Sequence, residues 1–195
     1  MPSIDVRKKR IDSKIVYYGP GRAGKTENLR YVYHHLDEGR RGPLSSLPTK
    51  SDPNLQIDVL PVRSGNILGF RTIFHLCAGP GQAFSTGPRR LLLRESDGIV
   101  FVADSRPERL EANLDSLAEL EENLQGYGLQ LRDVPHVIQY CKCDLPGTAD
   151  VGRLRSELNH YGVPDFTAST ETGEGVMETL QAIVESVGQD LQTRL

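Results

Sequence analysis

The chain has 195 residues, a net charge of −3 and a pI of about 6.0, with 37% hydrophobic and 25% charged residues. That length suits a single domain with a core large enough to fold alone, and the acidic balance argues against a nucleic-acid binder, which carries a basic excess. No apolar run approaches the ~20 residues that cross a bilayer. The Met1–Asp5 start lacks a secretory signal's apolar region, and neither Pro2 nor the Thr193-Arg194-Leu195 end forms a lipidation motif, so no direct membrane anchor is expected.

The first residues suggest a short edge strand at Ile4 to Val6, followed by the basic run Arg7 to Arg10, read as a solvated face. The first clear strand is Lys14-Ile15-Val16-Tyr17-Tyr18. A Gly-rich turn follows, then a helical stretch from about Lys25 to Leu36. Asp37 to about Asn54 is polar and rich in Gly, Pro and Ser, and a segment of that length without periodicity reads as a functional loop. Leu55 to Leu60 and Phe70 to Cys77 read as an antiparallel pair, with Ser64-Gly65-Asn66 as the hairpin turn. Pro88-Arg89-Arg90 opens the next helix.

Gly98 to Ala103 and Val134 to Tyr140 are nearly pure apolar runs, as strands buried on both faces require. Leu110, Leu114, Leu117 and Leu124 share one helical face. Val176, Leu180, Ile183, Val184, Val187 and Leu191 make a second stripe, preceded by a short strand near Phe166. Strands alternating with helices indicate an α/β fold with a mainly parallel sheet and helices on both faces. No linker or repeat divides the chain.

Gly19-Pro20-Gly21-Arg22-Ala23-Gly24-Lys25-Thr26 matches G-x-x-x-x-G-K-[ST] in full, between a strand and a helix. Glycines let the backbone wrap a phosphate with its amides inward, and the helix start adds its positive dipole end. Lys25 is expected to reach the β and γ phosphates, and Thr26 to place its hydroxyl on Mg²⁺. Gly81 and Gln82, in Gly79-Pro80-Gly81-Gln82 after the Phe70–Cys77 strand, fit a γ-phosphate contact and a water-orienting catalytic group. Three residues before Gly81, where Ras-like proteins carry a magnesium-supporting Asp, stands Ala78. In Cys141-Lys142-Cys143-Asp144, Lys142 and Asp144 match the base-reading half of Asn-Lys-x-Asp, with Cys141 in place of Asn. Thr167-Ala168-Ser169 is the candidate loop meeting guanine O6, with Ala168 as the contact.

The three cysteines, Cys77, Cys141 and Cys143, build no disulfide framework and suit a reducing cytoplasm. Cys141 and Cys143 read as small semi-buried residues rather than metal ligands. His75, within a strand, reads as a structural histidine.

With these elements in register the chain resembles the MglA family, bacterial Ras-like GTPases of cell polarity and motility. Lys14 to Gly21, Asp58-Val59-Leu60-Pro61, Gly69-Phe70-Arg71-Thr72, Pro80-Gly81-Gln82 and Asp97 to Ser105 carry the resemblance, extended by Val137 to Tyr140 and Asp144-Leu145-Pro146. It implies a Ras-like P-loop fold: a mainly parallel six-stranded sheet with one antiparallel edge pair and an additional N-terminal strand. It further implies GTP/GDP and Mg²⁺ as cofactors, a monomer recruited to a cell pole, and an MglB-type activating protein. Polar response-regulator or tetratricopeptide-type proteins are the other partners implied, and Arg89 and Arg90 fall in the partner-facing second switch.

Three positions depart from the family. Its switch Arg and Thr correspond here to Pro53 and Asn54, of which Asn54 offers an oxygen to Mg²⁺, and its guanine-site Asn corresponds to Cys141. Losing a buried hydrogen-bond partner weakens binding by roughly 5- to 150-fold, and losing an arginine finger slows hydrolysis by roughly 10³–10⁵. Two readings remain open on the sequence: a GTP-binding switch with slow hydrolysis, and a degenerate scaffold that acts through its switch surface without turnover. A small-molecule kinase explains neither Pro80-Gly81-Gln82 nor the Lys142/Asp144 pair.

Overall fold

The structure, a computed structural model, describes residues 2–48, 56–79 and 86–194, and of residues 86–89 the backbone alone. Among the described residues eight strands form one sheet: β1 (Ser3–Asp5), β2 (Arg10–Tyr18), β3 (Ser45–Pro48), β4 (Gln56–Ile67), β5 (Phe70–Ala78), β6 (Gly98–Asp104), β7 (His136–Cys141) and β8 (Asp165–Ala168). Their order is β3-β4-β5-β2-β6-β7-β8, with β1 beside the start of β2. The pairs among β5, β2, β6, β7 and β8 are parallel, whereas β3–β4, β4–β5 and β1–β2 are antiparallel. The six strands expected are present. The N-terminal strand implied by the resemblance makes seven, and β3, inside the segment read as a loop, makes eight.

β1 occupies a gap. β2 pairs with β6 only from Ile15 onward, and β1 covers the open edge of Arg10 to Asp12. The fully buried β6 and β7 confirm the central position that their unbroken apolar composition demands.

Five α-helices among the described residues cover the sheet: α1 (Lys25–His35), α2 (Thr86–Leu93), α3 (Leu110–Gln125), α4 (Val151–Leu158) and α5 (Val176–Arg194). One core packs α1 and α5 on alternate strand residues, with Ile15, Tyr17, Phe74, Leu76, Val100 and Val102 against Leu29, Val32, Ile183 and Val187. The other packs α2, α3 and α4 on the residues between, including Val16, Ile99, Phe101 and Tyr140. Helix α4 packs a short stripe of Val151, Leu154 and Leu158 on this core; its start is fixed by Asp150, whose carboxylate accepts from the Arg153 amide at 2.9 Å.

The β4–β5 turn differs from expectation. Ser64, Gly65 and Asn66 stay inside β4 as a bulge that shifts the register between Arg63 and Asn66. The turn itself is Leu68-Gly69, both left-handed, with φ of 50° and 82°. Two left-handed residues make the mirror-image turn whose twist suits a hairpin. A leucine there is held against its steric preference, and it is 58% exposed. Replacing Leu68 by Asn is therefore expected to stabilise the fold by on the order of 1 kcal/mol, read as a higher urea midpoint; an unchanged or lower midpoint contradicts this turn assignment.

Candidate functional site

The parallel strands β2, β6 and β7 all end at one edge of the sheet, and the Gly19–Thr26 loop crosses that edge before entering α1. Gly19 makes the crossing possible. Its φ is 143°, and a Cβ there would lie 2.1 Å from the Val102 carbonyl oxygen of β6. At the far end Gly24 takes the N-cap position of α1 with φ 110°, and no side chain caps the helix amides. A Cβ on Gly24 would stand 2.9 Å from Cys141 Sγ.

Lys25 is buried, with its ammonium over the loop's own carbonyls. Its Nζ donates to Gly19 O at 2.8 Å and to Pro20 O at 2.6 Å. The Ala23 amide makes a long bond, 3.4 Å, to the same Pro20 oxygen. The loop is thus wound as a small cup, with the lysine at its mouth. An anion with several oxygens fits this donor set, and the two missing Cβ atoms are what let the backbone close around it.

Thr26 Oγ1 donates to Asp58 Oδ2 at 2.8 Å. Asp58 lies on β4 directly opposite Ala78 of β5, and Ser46 of β3 donates to its other oxygen. A carboxylate from the neighbouring strand therefore stands beside the threonine, although position 78 supplies none. The signal for Asp58 was legible in the alternation of β4: it shares a face with Leu60 and Val62, where an apolar residue is the norm.

Lys142 leaves β7 with φ 69° and makes two contacts: Nζ to Arg22 O at 2.6 Å and to Asp104 Oδ2 at 2.8 Å. Asp144 is exposed, and among the described residues its carboxylate has no partner. Cys141 is fully buried under Gly24. Burial pushes its thiol up to about 11, against the Lys142 and Thr170 amides that favour the thiolate, so it is a neutral filler at pH 7. Ala168 is the last residue of β8 and buried, and its carbonyl accepts from Cys143 N at 3.1 Å. After it comes a closed turn: buried Ser169 donates its amide to Glu174 O at 3.0 Å, and its Oγ accepts from the amides of Glu171 and Thr172, each at 3.2 Å.

Gly19, Gly21, Arg22, Ala23, Gly24, Lys25, Thr26, Lys142 and Asp144 thus come together at one end of the sheet. Arg22 is exposed, with φ 63°. Pro53, Asn54, Gly81 and Gln82 lie outside the described residues. His75 is away from the site, its Nε2 2.7 Å from Asp12 Oδ1. Arg90, expected at the partner-facing switch, is engaged within the chain: its Nη2 donates to Gly126 O, and the Tyr127 hydroxyl donates to Arg90 O, each at 2.9 Å. This reciprocal pair ties α2 to the end of α3.

Over 192 residues, 98% of each chain, the protein is 46% identical to the mutual gliding-motility protein MglA of Myxococcus xanthus (strain DK1622). The chain belongs to the MglA family. No protein-family model matches it. The Ras-like topology agrees with that membership, since the P-loop joins a central strand to α1 and the antiparallel pair β4–β5 flanks it. Among the described residues no helix is long and apolar enough to cross a membrane.

Gly24→Ala places a side chain in a left-handed position against Cys141, a strain of about 1–3 kcal/mol. The expected result is a lower unfolding midpoint in urea. Gly39→Ala, where a Cβ meets nothing within 4 Å, is the control and leaves the midpoint in place.

Proposed function

We propose that the protein is a guanine-nucleotide switch of cell polarity and motility, a member of its family that binds GTP and GDP with Mg²⁺ and hydrolyses GTP slowly. The single observation that carries this reading is the cup formed by Gly19 to Lys25, already wound and already supplied with its lysine. In this reading the inward amides and Lys25 hold the phosphates. Asp144 accepts from guanine N1–H and the 2-amino group, with the Lys142 stem along the base. The loop that follows Ala168 is assigned to the base oxygen, with its Ser169, Glu171 and Thr172 amides already donating to Glu174 O and Ser169 Oγ.

Thr26 and Asp58 are the residues that would support the metal. Bound there, Mg²⁺ supplies charge neutralisation between the phosphates. Gln82 is assigned the orientation of water and Gly81 the γ-phosphate contact, while Asn54 contributes a further oxygen to the metal. With Pro53 in place of the family's arginine, fast turnover requires a cation from elsewhere. An MglB-type activating protein is the proposed partner, with polar response-regulator or tetratricopeptide-type proteins downstream.

Against the scaffold reading stands the upkeep of a costly geometry. Gly19 and Gly24 hold left-handed conformations, and Lys25 is buried, features that a loop without a ligand does not need. Cys141 weakens the base side, since a thiol cannot replace the amide that spans loop and base. Cys141→Asn is accordingly expected to tighten GDP binding by roughly 5- to 150-fold.

Calorimetric titration of the nucleotide-stripped protein with GTP, GDP and ATP in Mg²⁺ tests the proposal. The expected result is micromolar or tighter binding of GTP and GDP and none of ATP. A folded protein that binds none of the three, or that prefers ATP, overturns it. Asp58→Asn is expected to weaken GTP binding more in Mg²⁺ than in chelator, and equal losses in both contradict the role given to Asp58.

A further inference from the structure

Asp104 ends β6 with its side chain fully buried, yet four groups gather around it. Arg106 makes two bonds to the carboxylate, Nε at 3.0 Å and Nη2 at 2.8 Å, and Lys142 Nζ adds a third at 2.8 Å. Arg109 Nε stands 3.8 Å away. Burial pushes the Asp104 carboxyl up, but the bonds from Arg106 and Lys142 outweigh it and hold it below the usual carboxylate range. Asn113 of α3 fixes the backbone: its Oδ1 accepts from Asp104 N and its Nδ2 donates to Asp104 O, both at 2.9 Å.

Two of these cations reach onward to the loop. Arg109 Nη2 donates to Gly21 O at 2.9 Å, and Lys142 Nζ donates to Arg22 O at 2.6 Å. These are consecutive peptides. In a trans peptide the carbonyl and the following amide point in opposite directions. Drawing the Gly21 and Arg22 oxygens outward therefore turns the Arg22 and Ala23 amides toward the inside of the cup. The contact of Ala23 N with Pro20 O, on the inner side where Lys25 also bonds, agrees with that orientation.

We propose that Asp104 and Arg109 are positioning residues for phosphate binding: the buried carboxylate holds Lys142 by a hydrogen bond and draws Arg109 by charge at 3.8 Å, and the two cations hold two loop carbonyls outward and so keep two amides aimed at the phosphate before nucleotide arrives. The inference rests on the nucleotide-site reading and adds to it a pair that no P-loop motif contains. Neither residue touches the ligand. Lys142 has a second role along the base, so Arg109 isolates the effect on the loop.

The test compares GDP with GMP, which lacks the β-phosphate, on wild type, Arg109→Met, Arg109→Lys, Asp104→Asn and the double variant. Arg109 is partly exposed at 30%, so its substitution leaves the core intact. Arg109→Met is expected to weaken GDP by about tenfold while GMP affinity and the nucleotide-free melting midpoint stay within error. Arg109→Lys restores part of the GDP affinity. Asp104→Asn weakens GDP more, and adding Arg109→Met to it costs less than the same change costs in wild type, because the two act through one path.

A merely structural role lowers GDP and GMP alike together with the midpoint, and that outcome overturns the proposal, as does unchanged GDP affinity in Arg109→Met. A wild-type protein that binds no guanine nucleotide overturns the site reading itself and this inference with it. Binding by wild type with no effect of Arg109→Met overturns the inference alone.

Discussion

A backbone that is to bind an anion must be held in shape by something other than the anion. Here the constraint is the buried carboxylate of Asp104, placed at the end of the central strand β6 and surrounded by Arg106, Lys142 and Arg109. Without cations such a group would be costly in the core. With them it joins three separate stretches of chain: the end of β6, the start of α3 and the residue after β7. The P-loop is the fourth, drawn in through the oxygens of Gly21 and Arg22. The geometry that lets Gly19 pass over Val102 and the geometry that lets Lys142 reach the loop both depend on how β2, β6 and β7 stack side by side.

The substitutions that set this chain apart, Pro53, Asn54 and Cys141, all lie outside the Gly19–Thr26 segment of the sequence. The Gly19–Thr26 loop keeps the full phosphate-loop pattern, while Cys141 stands where the family carries its guanine-site Asn. Its neutral, buried thiol fills the space beneath Gly24 but offers guanine nothing. Beside Thr26, Asp58 places a carboxylate opposite Ala78, in the register that the antiparallel β4–β5 pair sets. On the proposed reading the phosphate loop is intact, Cys141 weakens the base side, and Pro53 in place of the family's arginine leaves fast hydrolysis to a partner.

Much of this was legible in the sequence. The P-loop was complete and flanked by the right elements, and the pure apolar runs of β6 and β7 announced a buried parallel sheet. What escaped had physical reasons. β3 has no alternation, because an edge strand with Ser45, Ser46 and Pro48 needs no buried face. The hairpin was misplaced because Ser64-Gly65-Asn66 has turn chemistry but serves a bulge, while the true turn carries a leucine where Asn is usual. Helix α4 is eight residues long and its stripe is only Val151, Leu154 and Leu158, a short signal to read. Thr167-Ala168-Ser169 reads as a loop in sequence, yet Thr167 and Ala168 pair with Tyr140 and Cys141 and stay in the sheet. Asp104 and Arg109 belong to no motif; an acid closing an apolar strand was the only sign of them.

The central claim is that Asp144 reads a guanine. It is tested most directly by competition between guanosine and xanthosine diphosphates on wild type and Asp144→Asn. Xanthine carries an oxygen where guanine carries the 2-amino group, so a carboxylate favours guanine and an amide, which can donate, favours xanthine. The account predicts preference for the guanosine nucleotide in wild type and for the xanthosine nucleotide in the variant. The same preference in both proteins would contradict it and place the base elsewhere.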